Sequence, residues 1–279
     1  MMAPRPYRPP STRLEVTFSQ VSDPGKSRTN NEDYYGYSTP GTPSRAESHG
    51  WLFVLADGVG GQRLGEVASR TAVESILKNF HNSVGGETSH SALLRRLIQA
   101  ANHEVYEAGR GASPGGVAIA TTIVVCSLRY DRVVIAHVGD SRCYLVREGR
   151  AESLTRDHTF SAEQLRLGLI AAKEAAESAN RHLLSRSLGN DLFVAVDTSD
   201  HLLQPGDVLV LCSDGLHNSV RGADIAQVLG READLERAAR ELVALANERD
   251  GGDNITVQAI RVESVGRMGM YRGRPYNLR

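Results

Sequence analysis

LFVLADGVGGQRLGEVASR, residues 52–70, joins two patterns at one carboxylate. Up to Asp57 the run is apolar on both faces, as a strand buried on both sides reads. After it come Gly58, Gly60 and Gly61. Then Val67, Ala68, Thr71, Ala72, Ser75, Ile76 and Phe80 recur at helical spacing. A glycine-rich turn between strand and helix is a frequent phosphate cradle. Here an aspartate opens the turn, and its charge repels phosphate unless a cation lies between them.

Working outward, RLEVTFSQVS (13–22) alternates as a half-buried strand does, and a second helical pattern covers 90–109. AIATTIVVCSL (118–128), RVVIAHVGD (132–140) and RCYLVREG (142–149) form a Val- and Ile-rich meander. Leu183–Leu188 reads as a short helix. FVAVDT (193–198) and DVLVLCSD (207–214) are strands, 222–229 and 233–247 helices, and NITVQAIRV (254–262) the last strand. Regular βα alternation is absent, which argues against a doubly wound parallel sheet. The order predicts an α+β fold, two antiparallel sheets face to face with helix pairs outside. A polar, Ala- and Glu-rich insert at 157–182 interrupts the strands. Residues 1–12 read as a disordered arm, 13–263 as the folded domain, and 264–279, with four arginines and no acid, as a basic flexible tail.

The chain has 279 residues and a formal net charge of −1, so nothing global points to nucleic acid. No apolar run approaches the roughly 20 residues of a membrane span. Cys126, Cys143 and Cys212 are far apart in sequence and lie in apolar runs, as reduced thiols of the cytoplasm do.

Four aspartates lie at strand mouths: Asp57, Asp140, Asp214 and Asp253; Glu32 and Asp33 lie where a loop meets a strand. A carboxylate at the end of a buried strand costs several kcal/mol unless paired or metal-bound. Arg28 and Arg142 are the obvious cations, too few for the set. Oxygen donors without a supporting His or Cys group favour magnesium or manganese over zinc. Gly58, lacking a Cβ, leaves its carbonyl free to turn toward the same ion. Arg28 fits a phosphate anion or, equally, an ion pair with Glu32 or Asp33. His137 reads as a core histidine; His158 and His182 flank the insert.

In order, SRTNNED, ADGVGG, HVGDSR, CSDGL and GGDNITV resemble the metal-dependent protein phosphatases of type 2C, the bacterial single-domain ones above all, over residues 14–262. The resemblance implies a four-layer α-β-β-α sandwich with two tightly bound manganese(II) or magnesium(II) ions between the sheets. It implies hydrolysis of phosphoserine and phosphothreonine by a metal-activated water. Asp57 then resembles the ligand of both ions and Gly58 the carbonyl ligand. Asp214 and Asp253 match ligands of the first ion, and Glu32 and Asp33 those around the second. Arg28 matches the phosphate clamp, and Asn254 orients the Asp253 loop. Asp140, with Asp214, resembles the holder of a weaker third ion, whose water is one source for the leaving-group proton. The 157–182 insert corresponds to the family's flap. Where animal members carry a histidine, this chain has Val59. The implied setting is a monomeric cytoplasmic signalling enzyme acting on phosphorylated proteins and opposing a cognate Ser/Thr kinase. Two rivals are a catalytically inactive partner-binding module and a metal-dependent nuclease, which the lack of a basic groove disfavours.

Overall fold

The computed structural model describes residues 13–59, 64–83, 89–112, 116–178, 180–266, 268–271 and 274–277. One antiparallel sheet runs in the order β1 (Glu15–Asp23), β11 (Ile255–Ser264), β10 (Val208–Cys212), β7 (Arg142–Arg147) and β8 (Arg150–Ser153). The other runs β2 (Asp33–Ser38), β3 (Trp51–Val59), β5 (Ile123–Arg129), β6 (Arg132–Val138) and β9 (Asp197–Leu202), with β4 (Ala120–Thr121) pairing the end of β3. The short helix α1 (Pro43–Ser48) joins β2 to β3. Helices α2 (Leu64–Asn82) and α3 (His90–Gly111) cover the second sheet; α7 (Gly222–Arg231) and α8 (Leu235–Arg249) cover the first. The four-layer α-β-β-α sandwich is thereby realised.

Strand alternation explains why β3 is apolar on both faces. Leu52, Val54 and Ala56 pack with Ile76 and Phe80 of α2 and Ile98 of α3. Phe53 and Leu55 point the other way, onto Leu209, Leu211 and Ile260 of the facing sheet. Each such side chain, fully buried, contributes roughly 1.5–3 kcal/mol. The helices on the first sheet bury Leu242 and Ala246 of α8 and Ile225 of α7 against Val210, Val257 and Ala259.

Several segments depart from the sequence reading. Leu183–Leu188 is not helical: Leu184 bridges Thr159 and Leu188 bridges Thr121, so its leucines are placed by strand-like pairing. The strand at 193–198 begins only at Asp197. The Gln99 side chain takes its ladder partners, donating to the Leu192 carbonyl at 2.9 Å and accepting from Val194 N at 3.3 Å. Within 157–182 stand two short helices, α4 (Phe160–Arg166) and α5 (Ala172–Glu177). In the stretch read as a flexible tail, β12 (Met268–Tyr271) and β13 (Arg274–Asn277) pair as a hairpin. The arm at 1–12 lies outside the described residues. All three cysteines are free and buried. Cys126 and Cys143, distant in sequence, share the core between the two sheets, and burial pushes the Cys126 thiol well up.

Candidate metal centre

Strand β3 delivers Asp57 and Gly58 to one edge of the sandwich. Asp57 is clamped through its backbone: its N–H donates to Thr122 Oγ1 at 3.0 Å, and its carbonyl accepts from Thr121 Oγ1 at 2.8 Å and Thr122 N at 2.9 Å. Gly58 N donates to the Glu32 carbonyl at 3.1 Å. A Cβ on Gly58 would stand 2.2 Å from the Gly65 carbonyl oxygen, and one on Gly65 would stand 2.6 Å from Glu32 Oε2. The glycine after Asp57 therefore has a steric reason beyond the freedom of its carbonyl: the start of α2 lies against it.

Asp140 follows β6. Its carbonyl accepts from His217 Nε2 at 2.9 Å, and the preceding Gly139 N–H donates to His158 Nδ1 at 3.1 Å. His158 in turn stacks on His137, which is buried in the core as the sequence implies. Asp214 opens α6 (Asp214–His217), the single turn that ends on His217. Its Oδ2 accepts from Asn218 Nδ2 at 3.2 Å. Asp253 accepts from Arg28 Nη2 at 2.8 Å and from Asn254 N at 2.9 Å. Arg28 thus pairs with Asp253, and not with Glu32 or Asp33 as the ion-pair reading had it.

Asn254 joins this loop to the Arg28–Glu32 segment. Its Oδ1 accepts from Glu32 N at 2.7 Å, and its Nδ2 donates to the carbonyls of Pro24 and Asn30 at 3.0 and 2.9 Å. No sequence spacing announces these partners, which lie more than 200 residues away; only the dipeptide with Asp253 hints at them.

Arg28, Glu32, Asp57, Gly58, Asp140, Asp214 and Asp253 line one cleft of about 450 Å³. Asp33 sits directly opposite Asp57 in the β2–β3 register and is buried, outside the set of residues that line the cleft. Its Oδ2 accepts from Ser213 Oγ at 2.7 Å and Thr256 Oγ1 at 2.6 Å, while its buried Oδ1 has no hydrogen-bond partner. Sequence reasoning missed this hydroxyl pair, and also His217 and the cleft-lining Thr122, Ser187 and Asn190.

Electrostatically the cluster is anionic and under strain. Burial first, then the neighbouring carboxylates Asp33, Asp214, Asp140 and Asp253, push Asp57 well above the ordinary carboxylate range. Burial and then Asp214 push Asp140 up to about 8. Burial pushes Asp33 up to about 7 against its two hydroxyl donors. Among the described residues no three His, Cys, Asp or Glu side chains close into a finished ligand group. Arg28 holds Asp253, Asn218 holds Asp214, and the two hydroxyls hold Asp33. The donor set still fits hard divalent cations: it is all oxygen, desolvated and mutually repelling, and it includes an unpartnered carboxylate atom.

The family profile of protein phosphatase 2C matches residues 26–250. The chain belongs to the protein phosphatase 2C family. A putative protein phosphatase 2C-type relative from Streptococcus pyogenes is 33% identical over 252 residues, 89% of this chain and 98% of that protein. The serine/threonine phosphatase Stp1 of Staphylococcus aureus matches with a TM-score of 0.81 and 30% identity, over 94% of this chain and 100% of its own. The catalytic domain of the serine/threonine protein phosphatase PstP, solved with two manganese ions, matches with a TM-score of 0.75 and 30% identity, over 89% of this chain and 99% of its own. Within this 2C family frame no described helix is long and apolar enough to cross a membrane.

Proposed function

We propose that the cleft hydrolyses phosphoserine and phosphothreonine in proteins with two manganese or magnesium ions seated among its carboxylates. The chain is a protein serine/threonine phosphatase by family, and the relatives so named support the substrate class. The observation that carries the reading is the convergence of five carboxylates, the Gly58 backbone and one guanidinium on a single cleft. Asp57 would be a ligand of both ions and the Gly58 carbonyl a further ligand, with Asp214 and Asp253 holding the first ion and Glu32 and Asp33 placed around the second. Asp140, with Asp214, would hold a third, weaker ion. When bound, such ions supply a nucleophilic water at neutral pH and neutralise charge in an in-line displacement.

The chain's own residues do the rest. Arg28 reaches the mouth of the cleft from the Asp253 side, where a planar guanidinium can take two phosphate oxygens. Asn254 and the Thr121–Thr122 pair fix the backbone under Glu32 and Asp57, so the donors hold their places as charge shifts. An inactive binding module would gain nothing from these mutually repelling buried acids. The partners are phosphorylated proteins, a cognate Ser/Thr kinase among those it opposes, and the setting is a monomer in the cytoplasm.

The test is hydrolysis of a phosphothreonine peptide and of p-nitrophenyl phosphate, with manganese and with chelator. Asp57→Ala should abolish both activities while leaving the chelated protein folded. Full activity of Asp57→Ala at saturating manganese would overturn the mechanism.

A further inference from the structure

Leu192 and Phe193 are large apolar side chains left in solvent, and Phe193 is 81% exposed. The backbone that carries them is nevertheless pinned along its length. Leu188 and Thr121 exchange N–H to carbonyl bonds at 2.8 and 3.2 Å. Gly189 N donates to Asn102 Oδ1 at 2.9 Å, and Asn102 Nδ2 donates to the carbonyls of Asp191 and Leu192 at 2.8 and 3.1 Å. Gln99 adds its bonds to the Leu192 carbonyl and Val194 N. Asn102 is wholly buried, and Val194 and Val196 pack on the core. Two amides of α3 thus hold this strap in place while Leu192 and Phe193 stay in water.

Between the strap and α3 lies a groove of about 430 Å³, lined by Arg96, Gln99, Ala100, His103, Leu192 and Phe193. An aromatic side chain on a pinned backbone suits a binding surface, because little freedom is lost when a partner arrives. Arg96 is exposed and pairs with no carboxylate among the described residues. A guanidinium beside apolar surface suits a segment that carries a bulky apolar side chain and an acid together.

The same strap reaches the catalytic cleft. Ser187 and Asn190 line that cleft, and Asn190 Nδ2 donates to Ser187 Oγ at 2.7 Å. Phe193 follows Asn190 by three residues, so at most roughly 10 Å of backbone separates them. A polypeptide whose phosphoresidue occupies the cleft therefore has its neighbouring residues within reach of the groove. The exposed area also favours such a segment over a second folded chain. Phe193 offers on the order of 150 Å², whereas a standard interface takes about 800 Å² from each partner.

We propose that this groove docks the substrate polypeptide beside its phosphoresidue, with a bulky apolar side chain on Phe193 and Leu192 and an adjacent carboxylate on Arg96. The proposal rests on the phosphatase reading of the cleft. It separates recognition of the protein from the chemistry, since a small phosphate ester reaches the cleft without touching the groove.

The experiment measures kcat and KM of the full chain with manganese on phosphothreonine peptides otherwise built of glycine and serine. A Leu-Glu pair is placed at successive positions before or after the phosphothreonine. One placement should lower KM about 10-fold against the peptide without the pair, the lower end for one buried apolar side chain, with kcat unchanged. Phe193→Ser should remove that advantage, and Arg96→Ala should make Leu-Glu and Leu-Gln peptides equal. Turnover of p-nitrophenyl phosphate and the melting temperature should match the parent in both variants. If no placement gives an advantage, or if Phe193→Ser retains it, the proposal is overturned. A parent that sediments as a dimer and a Phe193→Ser variant that sediments as a monomer would also overturn it, giving the groove to a second copy. Failure of the parent on every phosphate ester, p-nitrophenyl phosphate included, would instead sink the phosphatase reading itself.

Discussion

Asp140→Asn tests whether the acids of this cleft are held at a cost. Asp140 is 6% exposed, and its carboxyl is pushed up to about 8, by burial first and then by Asp214 and Asp157. In the unfolded chain the same group releases its proton near 4. Between those values the folded protein binds a proton that the unfolded chain does not. Stability is therefore fully present below about pH 4 and is lost as pH rises toward 8. Three buried imidazoles run the other way. His90, His158 and His217 are each pulled down to about 4 by burial, so their contribution grows as pH rises and is complete near 6.5. Above pH 6.5 they are silent.

The window from pH 6.5 to about 8 thus isolates the carboxylates. At about 1.4 kcal/mol per pH unit, Asp140 accounts for roughly 2 kcal/mol lost across it. Urea unfolding of chelator-treated protein at four pH values in that window, parent against Asp140→Asn, measures the term directly. The variant should gain about 2 kcal/mol relative to the parent between the two ends. Parallel curves would refute the reasoning, because they would mean that Asp140 is already ionised in the folded protein.

Two further outcomes follow from the hydrogen bonds around the cleft. Arg28→Ala should raise KM about 10- to 100-fold, the worth of a charged hydrogen bond to phosphate, with manganese affinity unchanged by calorimetry; its ion pair with Asp253 is half-exposed, so the melting temperature should barely move. Asn254→Ala leaves Glu32 N and the carbonyls of Pro24 and Asn30 without their partner, and should cost about 2–4 kcal/mol in urea unfolding and weaken manganese binding as well.

Much of this was legible because strand periodicity and strand endings are local signals. A run such as Leu52–Ala56, apolar on both faces, can only lie between a helix layer and a second sheet. An aspartate that closes such a run must be drawn to the sheet edge. Four of them at four mouths therefore announce one site. What could not be read depends on partners far away in the chain. Asp33 stands at the second ion by resemblance, yet its carboxylate is bonded by Ser213 and Thr256, 180 and 223 residues on. The start of β9 was misplaced because Gln99, on a helix, occupies the backbone groups that a continuing strand would have used. His182 carried no pattern of its own; only the fold brings it into the cleft with Asp214.

The glycines of the two Asp-Gly pairs show how closely packing and chemistry are tied at this edge. A Cβ on Gly215 would stand 2.1 Å from the Asn254 carbonyl oxygen, much as one on Gly58 would strike Gly65. In both cases the residue after the aspartate is where a second backbone passes beneath the cleft, carrying Asn254 in one and the start of α2 in the other. Any side chain there would part the two backbones by the width of a methyl group and move the adjacent carboxylate with them. Ligands to a pair of ions tolerate little of that, since their distances are fixed to a few tenths of an ångström. The carboxylate near the end of β3 is thus set by the same contact that excludes every residue but glycine behind it.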